Sequence, residues 1–377
     1  IDQTGFEENY WAGVGILHTM FSREHNAVCD ALKKAYPSLD DQRLFELGVL
    51  VVSALIAKIH TVEWTPCILR HPALQIGMNA NWYGALGETF REKIGRVGDS
   101  EALSGIVGSP VDHHSAPFSL TEEFVTVYRL HPLIPDDWNF FSLESGEHLY
   151  NKTFTEIQGR YTREFMHSLE LSDLWYSMGM ASAGAVCLHN YPNALRKLER
   201  LDGQITDLAT LDLVRDRERG IPRYNDFREM LRMPRRKSID EITPNKEWAR
   251  EINEIYHGDV DLVDVQIGMQ AEQPPKGFGF SDTAFRIFIL MASRRLKSDR
   301  FFTNNFNAET YTQVGFDWVN NTTMKDVILR HYPELAEAID DVERVFAPWP
   351  KLGSPAPGMP HRIVQMADTV RAYLPWG

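Results

Sequence analysis

The sequence predicts a mainly α-helical protein. Three long stretches, at about residues 10–36, 38–64 and 281–297, carry apolar residues at helical spacing. Few convincing period-two alternations and no internal repeats are found. With 377 residues, 43% hydrophobic and 24% charged, the chain is long enough for one large core.

The first helix is expected from Tyr10 to Tyr36, with Trp11, Val14, Ile16, Leu17, Met20, Phe21, Val28 and Leu32 on its apolar side and Pro37 stopping it. Ser38 is expected to cap the second helix, with Asp40 and Asp41 well placed in its first turn. That helix runs through Leu44, Leu47, Val51, Leu55 and Ile59 to about Trp64, where Pro66 ends or kinks it. It is apolar over most of its surface, the mark of a buried central helix. Residues 75–118, rich in glycine and turn formers, are expected to be irregular. Ser119 followed by Glu122 reads as a capping box opening a helix that ends at His131, because Pro132 disfavours helical geometry there. A further helix at about 171–190 carries a small-residue face, Gly179 to Ala185, that would let another helix or a flat ligand come close. Residues 202–236 are dense in charge and proline. The helix from Ser281 to Lys297 is strongly apolar through Phe285, Ile287, Phe288, Ile289 and Leu290. Residues 346–362, rich in proline and glycine, should pack on the body as a surface segment.

Composition excludes several classes. A net charge of −13 argues against nucleic acid as a partner. The one basic cluster, Arg232 to Lys237, reads as a solvated loop. The cysteines, Cys29, Cys67 and Cys187, are far apart and form no CxxC, which argues against a disulfide scaffold or a zinc site. Cys29 and Cys187 read as small core residues, consistent with a reducing, cytoplasmic or membrane-peripheral setting. Uninterrupted apolar runs such as 47–52 are too short to span a bilayer, so no transmembrane segment is expected.

The most informative stretch is Glu122 to Pro132. On a helix, Tyr128 and His131 share one face. Such a pair could bind a haem iron through His131 and hold a redox-active phenol beside it. In isolation, a buried tyrosine and a capping histidine would be the commoner explanation.

Five segments in one order change that balance. They are Trp11-Ala12-Gly13-Val14 through His18-Thr19-Met20-Phe21 to Ser22-Arg23-Glu24-His25-Asn26; Ile59-His60-Thr61-Val62-Glu63-Trp64-Thr65; the Tyr128/His131 pair; Arg215 to Arg228; and Ser293-Arg294-Arg295-Leu296-Lys297-Ser298-Asp299-Arg300-Phe301-Phe302. Together they resemble the cyclooxygenase–peroxidase superfamily, the animal haem peroxidases, and within it the fatty-acid α-dioxygenases. The resemblance implies a haem-peroxidase-like helical fold, with haem b between helices. It implies that His131 is the proximal iron ligand and that Tyr128 becomes the catalytic radical. His60, Thr65 and Arg294 would hold the substrate carboxylate, with Arg295 as the alternative if the register slips by one.

The implied reaction takes a long-chain fatty acid, O2 and a trace of hydrogen peroxide. A Tyr128 radical abstracts hydrogen from the α-carbon, and O2 adds to give a 2-hydroperoxy fatty acid. A planar, always-charged arginine fork suits a carboxylate at the closed end of an apolar channel. His25 reads as structural, fixing helix contacts, and the Arg215–Arg228 segment as ion pairs bracing the haem helices. Relatives carry a distal histidine and a calcium-binding loop upstream of the Trp11 helix. Residues 1–377 are therefore expected to be a single catalytic domain without that upstream segment, which an N-terminal fragment would supply. The alternatives are a haem peroxidase oxidising small donors and a non-catalytic haem-binding relative.

Overall fold

The structure, a computed structural model, describes residues 10–114, 119–200 and 202–352. Helices dominate, and the two longest lie at the N-terminal end. Helix α1 (Ala12–Ala35) buries Ala12, Ile16, Met20, Val28 and Leu32, the i, i+4 series that its sequence displays. Helix α2 (Asp41–Ile59) packs on α1 and buries Leu44, Leu47, Val51, Leu55 and Ile59. Its cap is Asp40, whose carboxylate accepts from the Arg43 N–H at 2.8 Å, and not Ser38. Nor is α2 wholly buried, since Phe45, Val49 and Ile56 are 56%, 44% and 42% exposed. By length and composition alone the helical stretch Asp41–Ile68 is apolar enough to cross a membrane, with a mean hydropathy of 1.7. Counting uninterrupted apolar runs missed this. Half of that window is buried inside the protein, as expected of a core helix.

After Ile59 the helix widens into a π-turn, His60–Trp64, before closing as Thr65–Ile68. Pro66 has no N–H to offer the carbonyl one turn back. The Thr65 N–H and its hydroxyl both go to the His60 carbonyl instead, the hydroxyl at 2.7 Å. The expected irregular stretch 75–118 holds short helices, among them Pro72–Tyr83 and Glu88–Ile94. Its glycines delimit them: Gly84 and Gly95 follow their ends at φ 83° and 84°.

Helix α3 (Glu122–Val127) is capped by Thr121, whose hydroxyl accepts from the Phe124 N–H, and not by Ser119. An antiparallel hairpin follows, β1 (Asp137–Phe141) with β2 (His148–Thr153). β1 turns Trp138 and Phe140 inward. Helix α4 (Leu171–Met180) stops short of the expected Asn190, and the small residues 181–185 leave it as a loop. Gly179 lets the Trp349 indole lie against α4, so residues 346–352 do pack on the body. Residues 353–362 of that expectation lie outside the described residues.

Next come α5 (Leu208–Glu218), α6 (Tyr224–Met230), α7 (Val265–Ala271), α8 (Asp282–Ser298), α9 (Ala308–Asn321) and α10 (Met324–His331). Ser281 caps α8, its hydroxyl accepting from the Ala284 N–H at 3.2 Å. The charged segment 215–228 does form braces. Arg217 and Arg223 meet Asp264, and buried Arg228 meets buried Glu272 at 2.7 Å. In the Arg23-Glu24-His25 run Glu24 is structural as well as His25. Fully buried, Glu24 accepts from the Trp318 indole and pairs with Arg330 and His331, tying α1 to α9 and α10. His25 fixes helix contacts as expected: its ring lies edge-on to Phe45 of α2, and its Nε2 is 3.4 Å from the Phe45 carbonyl. The cysteines are free, and Cys187 lies half-buried in a loop, not in a helix.

Candidate functional site

Tyr128 and His131 do not share a helix. α3 ends at Val127, Tyr128 is its C-cap, and His131 opens a separate 3-10 turn, His131–Leu133. The chain leaves α geometry already at Tyr128 (φ −83°, ψ 4°), four residues before Pro132, so the proline, which restricts only the residue before it, does not set where the helix ends. What the two side chains share is a cavity of about 410 Å³, lined by Phe124, Tyr128, Leu130, His131 and Ile134.

The Tyr128 ring lies between two phenylalanines. It stacks on Phe124 at 4.9 Å and lies parallel to Phe288 of α8, with centroids 5.8 Å apart. Its Oη is 3.3 Å from Nε2 of His60. The His60 imidazole stacks on Trp64 at 4.8 Å. Burial lowers the His60 pKa and raises that of Tyr128, so both groups favour their neutral forms. The pairing is thus a neutral phenol beside a neutral imidazole.

His131 is held from behind. Its Nδ1 is 3.2 Å from the Tyr191 hydroxyl and 3.6 Å from Asp212 Oδ2. Arg129 meets the other Asp212 oxygen at 2.5 Å and lies 3.8 Å from Asp216, which accepts from Thr126 at 2.9 Å. Burial first, and the nearby Arg129 second, push the His131 pKa down to about 4. The segment after α4 clasps this turn. The Gly184 N–H donates to the Leu133 carbonyl at 2.9 Å, and Asn190 donates to that of Pro132 at 3.4 Å. A Cβ on Gly184 would collide with the Pro132 carbonyl oxygen, which is why the smallest residue stands there. Sequence reading found Tyr128 and His131 but not Tyr191, Asp212 or Arg129. Only Arg129 is near them in sequence, and its charge alone gave no signal.

The expected carboxylate residues are placed differently from one another. His60 faces Tyr128. Thr65 is fully buried, and its hydroxyl proton is committed to the His60 carbonyl. Arg294 points away, 3.4 Å from Glu101, and lines a separate cavity of about 450 Å³ with Leu290 and Arg286. Arg295 is the residue on the inner side. It lies seven positions beyond Phe288 on α8, and residues seven apart share a helical face about 10 Å apart along the axis. Its Nε, Nη1 and Nη2 are all shut from solvent with no hydrogen-bond partner among the described residues. A guanidinium so placed needs an anion.

This donor set fits a haem. A histidine tethered at Nδ1 faces a cavity, and a phenol lines the same cavity. No cluster of histidine, cysteine, aspartate and glutamate that could hold a bare metal ion is present among the described residues.

Comparisons with known proteins show the family and the fold. Residues 3–343 match the animal haem peroxidase family. Alpha-dioxygenase 2 of Arabidopsis thaliana is 42% identical over 363 residues, which cover 92% of this chain and 57% of the relative. The crystal structure of the Oryza sativa fatty acid alpha-dioxygenase superposes with a TM-score of 0.86 at 43% identity, covering 90% of this chain and 58% of that one. A tyrosine-to-phenylalanine variant of the same rice enzyme, solved with palmitic acid, gives 0.85 at 42% identity, with shares of 90% and 58%. The mainly helical fold read from the sequence is therefore the fold of these structures. The chain spans little more than half the length of the relatives it matches.

Proposed function

This chain belongs to the animal haem peroxidase family, and from that premise we propose that it is the proximal part of a haem-dependent fatty-acid α-dioxygenase. The observation that carries the reading is the cavity shared by Tyr128 and His131, with Arg295, its guanidinium nitrogens shut from solvent and unpartnered among the described residues, on the face of α8 that carries Phe288.

His131 would hold the haem iron. When bound, the haem would supply the one-electron oxidation that turns Tyr128 into a phenoxyl radical. Everything else falls to the chain's own groups. Nε2 of His60 accepts the phenol proton, which leaves Nδ1–H as a donor toward a carboxylate. Arg295 supplies the charge for that carboxylate in place of Arg294. Thr65 contributes by holding the His60 carbonyl, and can donate to a ligand only after its hydroxyl turns away from that bond. A carboxylate held between His60 and Arg295 sets the α-carbon, not a mid-chain carbon, against Tyr128. The Tyr128 oxygen then takes a hydrogen atom from that carbon, becoming a phenol again. O2 adds to the carbon radical, and the resulting peroxyl radical recovers a hydrogen atom from Tyr128. The product is a 2-hydroperoxy fatty acid, and the tyrosyl radical is restored. The distal histidine that the family resemblance implies is proposed to come from a segment upstream of the Trp11 helix; none stands in residues 1–10.

The test is oxygen uptake by the haem-loaded protein with palmitate and a trace of peroxide, beside Tyr128→Phe. Uptake that disappears in the variant while its haem band is unchanged supports the reading. Peroxide-dependent oxidation of small donors, equal in both proteins and without oxygen uptake, would replace it with a plain peroxidase.

A further inference from the structure

We propose that Tyr191 is a positioning residue for His131, fixing its imidazole as the Nδ1–H tautomer so that Nε2 keeps a bare lone pair for the metal. The inference rests on the assignment of His131 as the haem ligand.

The argument is a count of protons along one line of atoms. Asp212 is fully buried and meets the Arg129 guanidinium at 2.5 Å through Oδ1. Paired with that cation, its carboxylate can only accept. The Tyr191 hydroxyl, 3.4 Å from Asp212 Oδ2, has a single proton, and it donates that proton there. Toward His131 Nδ1, 3.2 Å away, the same oxygen can then only accept. The proton between them therefore belongs to Nδ1. A neutral imidazole carries one N–H, so Nε2 has none.

The Tyr191 ring also lies against the imidazole, with centroids 5.4 Å apart at 51°, which limits rotation about the histidine side chain. Tyr191 is itself held by its segment, since Asn190 and Gly184 bond to the Pro132 and Leu133 carbonyls of the His131 turn. Metal-binding histidines commonly need such an outer partner, and losing it typically costs about 10–100-fold in metal affinity.

The experiment compares wild type, Tyr191→Phe and His131→Ala by haem titration and by resonance Raman of the ferrous haem-loaded protein. The expected result is that Tyr191→Phe shifts the iron–histidine stretching band and weakens haem binding about 10–100-fold. A Tyr191→Phe protein that only melts earlier, with band and affinity unchanged, overturns the proposal in favour of a purely structural tyrosine. His131→Ala keeps the two readings apart. If it binds haem with the wild-type spectrum, the ligand assignment itself fails. Should Tyr191→Phe not fold, ¹⁵N NMR of wild-type histidines decides, with the His131 signal assigned by its loss in His131→Ala. An Nδ1–H tautomer supports the proposal, and an Nε2–H tautomer overturns it.

Discussion

The phenol oxygen of Tyr128 lies 3.3 Å from Nε2 of His60, although 68 residues separate them and they come from different helices. A phenol that loses an electron becomes a strong acid, and here its proton has a base within reach. His60→Phe keeps an aromatic ring on Trp64 and removes that base. Oxygen uptake should fall about 10²-fold or more, the usual scale for a lost proton acceptor, with haem binding unchanged. An oxygen electrode and the haem absorption band read the two effects separately.

The arginines of α8 make opposite predictions. Arg295→Ala should raise KM for a fatty acid about 10–100-fold, matching the loss of charged hydrogen bonds worth about 1.5–3 kcal/mol. It should also spread oxygenation beyond the α-carbon. Arg294→Ala, which loses only a half-exposed contact with Glu101, should leave KM within about threefold of wild type. Steady-state kinetics and product analysis check both, and the reverse pattern would return the carboxylate role to Arg294.

Glu63 gives a prediction in pH. It sits in the π-turn, accepts from the Met324 N–H at 3.0 Å, and is raised by burial to about 7 from an ordinary 4.5. Because the folded value is the higher one, its contribution to stability is full below about pH 4.5 and is lost as pH rises through about 7. Glu63→Gln cannot ionise and should gain on wild type across that window. Melting temperatures of the pair at about pH 5 and about pH 8 test this, and a difference that is constant with pH would refute it.

Gly184→Ala should strike the His131 turn without touching its side chain. The added methyl meets the Pro132 carbonyl, so the 184–191 segment must lift off. Overpacking of this kind costs about 1–3 kcal/mol. Haem affinity should fall along with the melting temperature, and a rise or no change in affinity would show that the clasp does not support His131.

The helices that position the site were legible because their apolar periodicity is long and uninterrupted, as in α1, α2 and α8. The hairpin was not legible, since β2 reads His-Leu-Tyr-Asn-Lys-Thr and buries almost nothing. The reach of the fourth helix was overestimated because small residues favour a close-packed loop as readily as a helix face. Within the site, Tyr128 and His131 were singled out by the family resemblance and not by their spacing alone, and the helix assumed to join them does not exist. Their common cavity is a tertiary fact. The proposed preference for Arg295 over Arg294 rests on the phase of α8, read from the stacking of Phe288 on Tyr128, which no sequence pattern gives. Tyr191 and Asp212 were silent because a lone tyrosine and a lone aspartate gain meaning only where the chain folds back.

The widened turn His60–Trp64 bears on how this sequence can change length. Each residue in a helix advances the chain by about 100° around its axis. A one-codon deletion inside the turn would let the backbone close into an ordinary α-helix with a more regular ladder. It would also swing His60 by that angle relative to Thr65 and Pro66, away from Tyr128. Length changes that a surface loop absorbs would here improve the helix and dismantle the pair, so this segment should tolerate substitution far better than insertion or deletion.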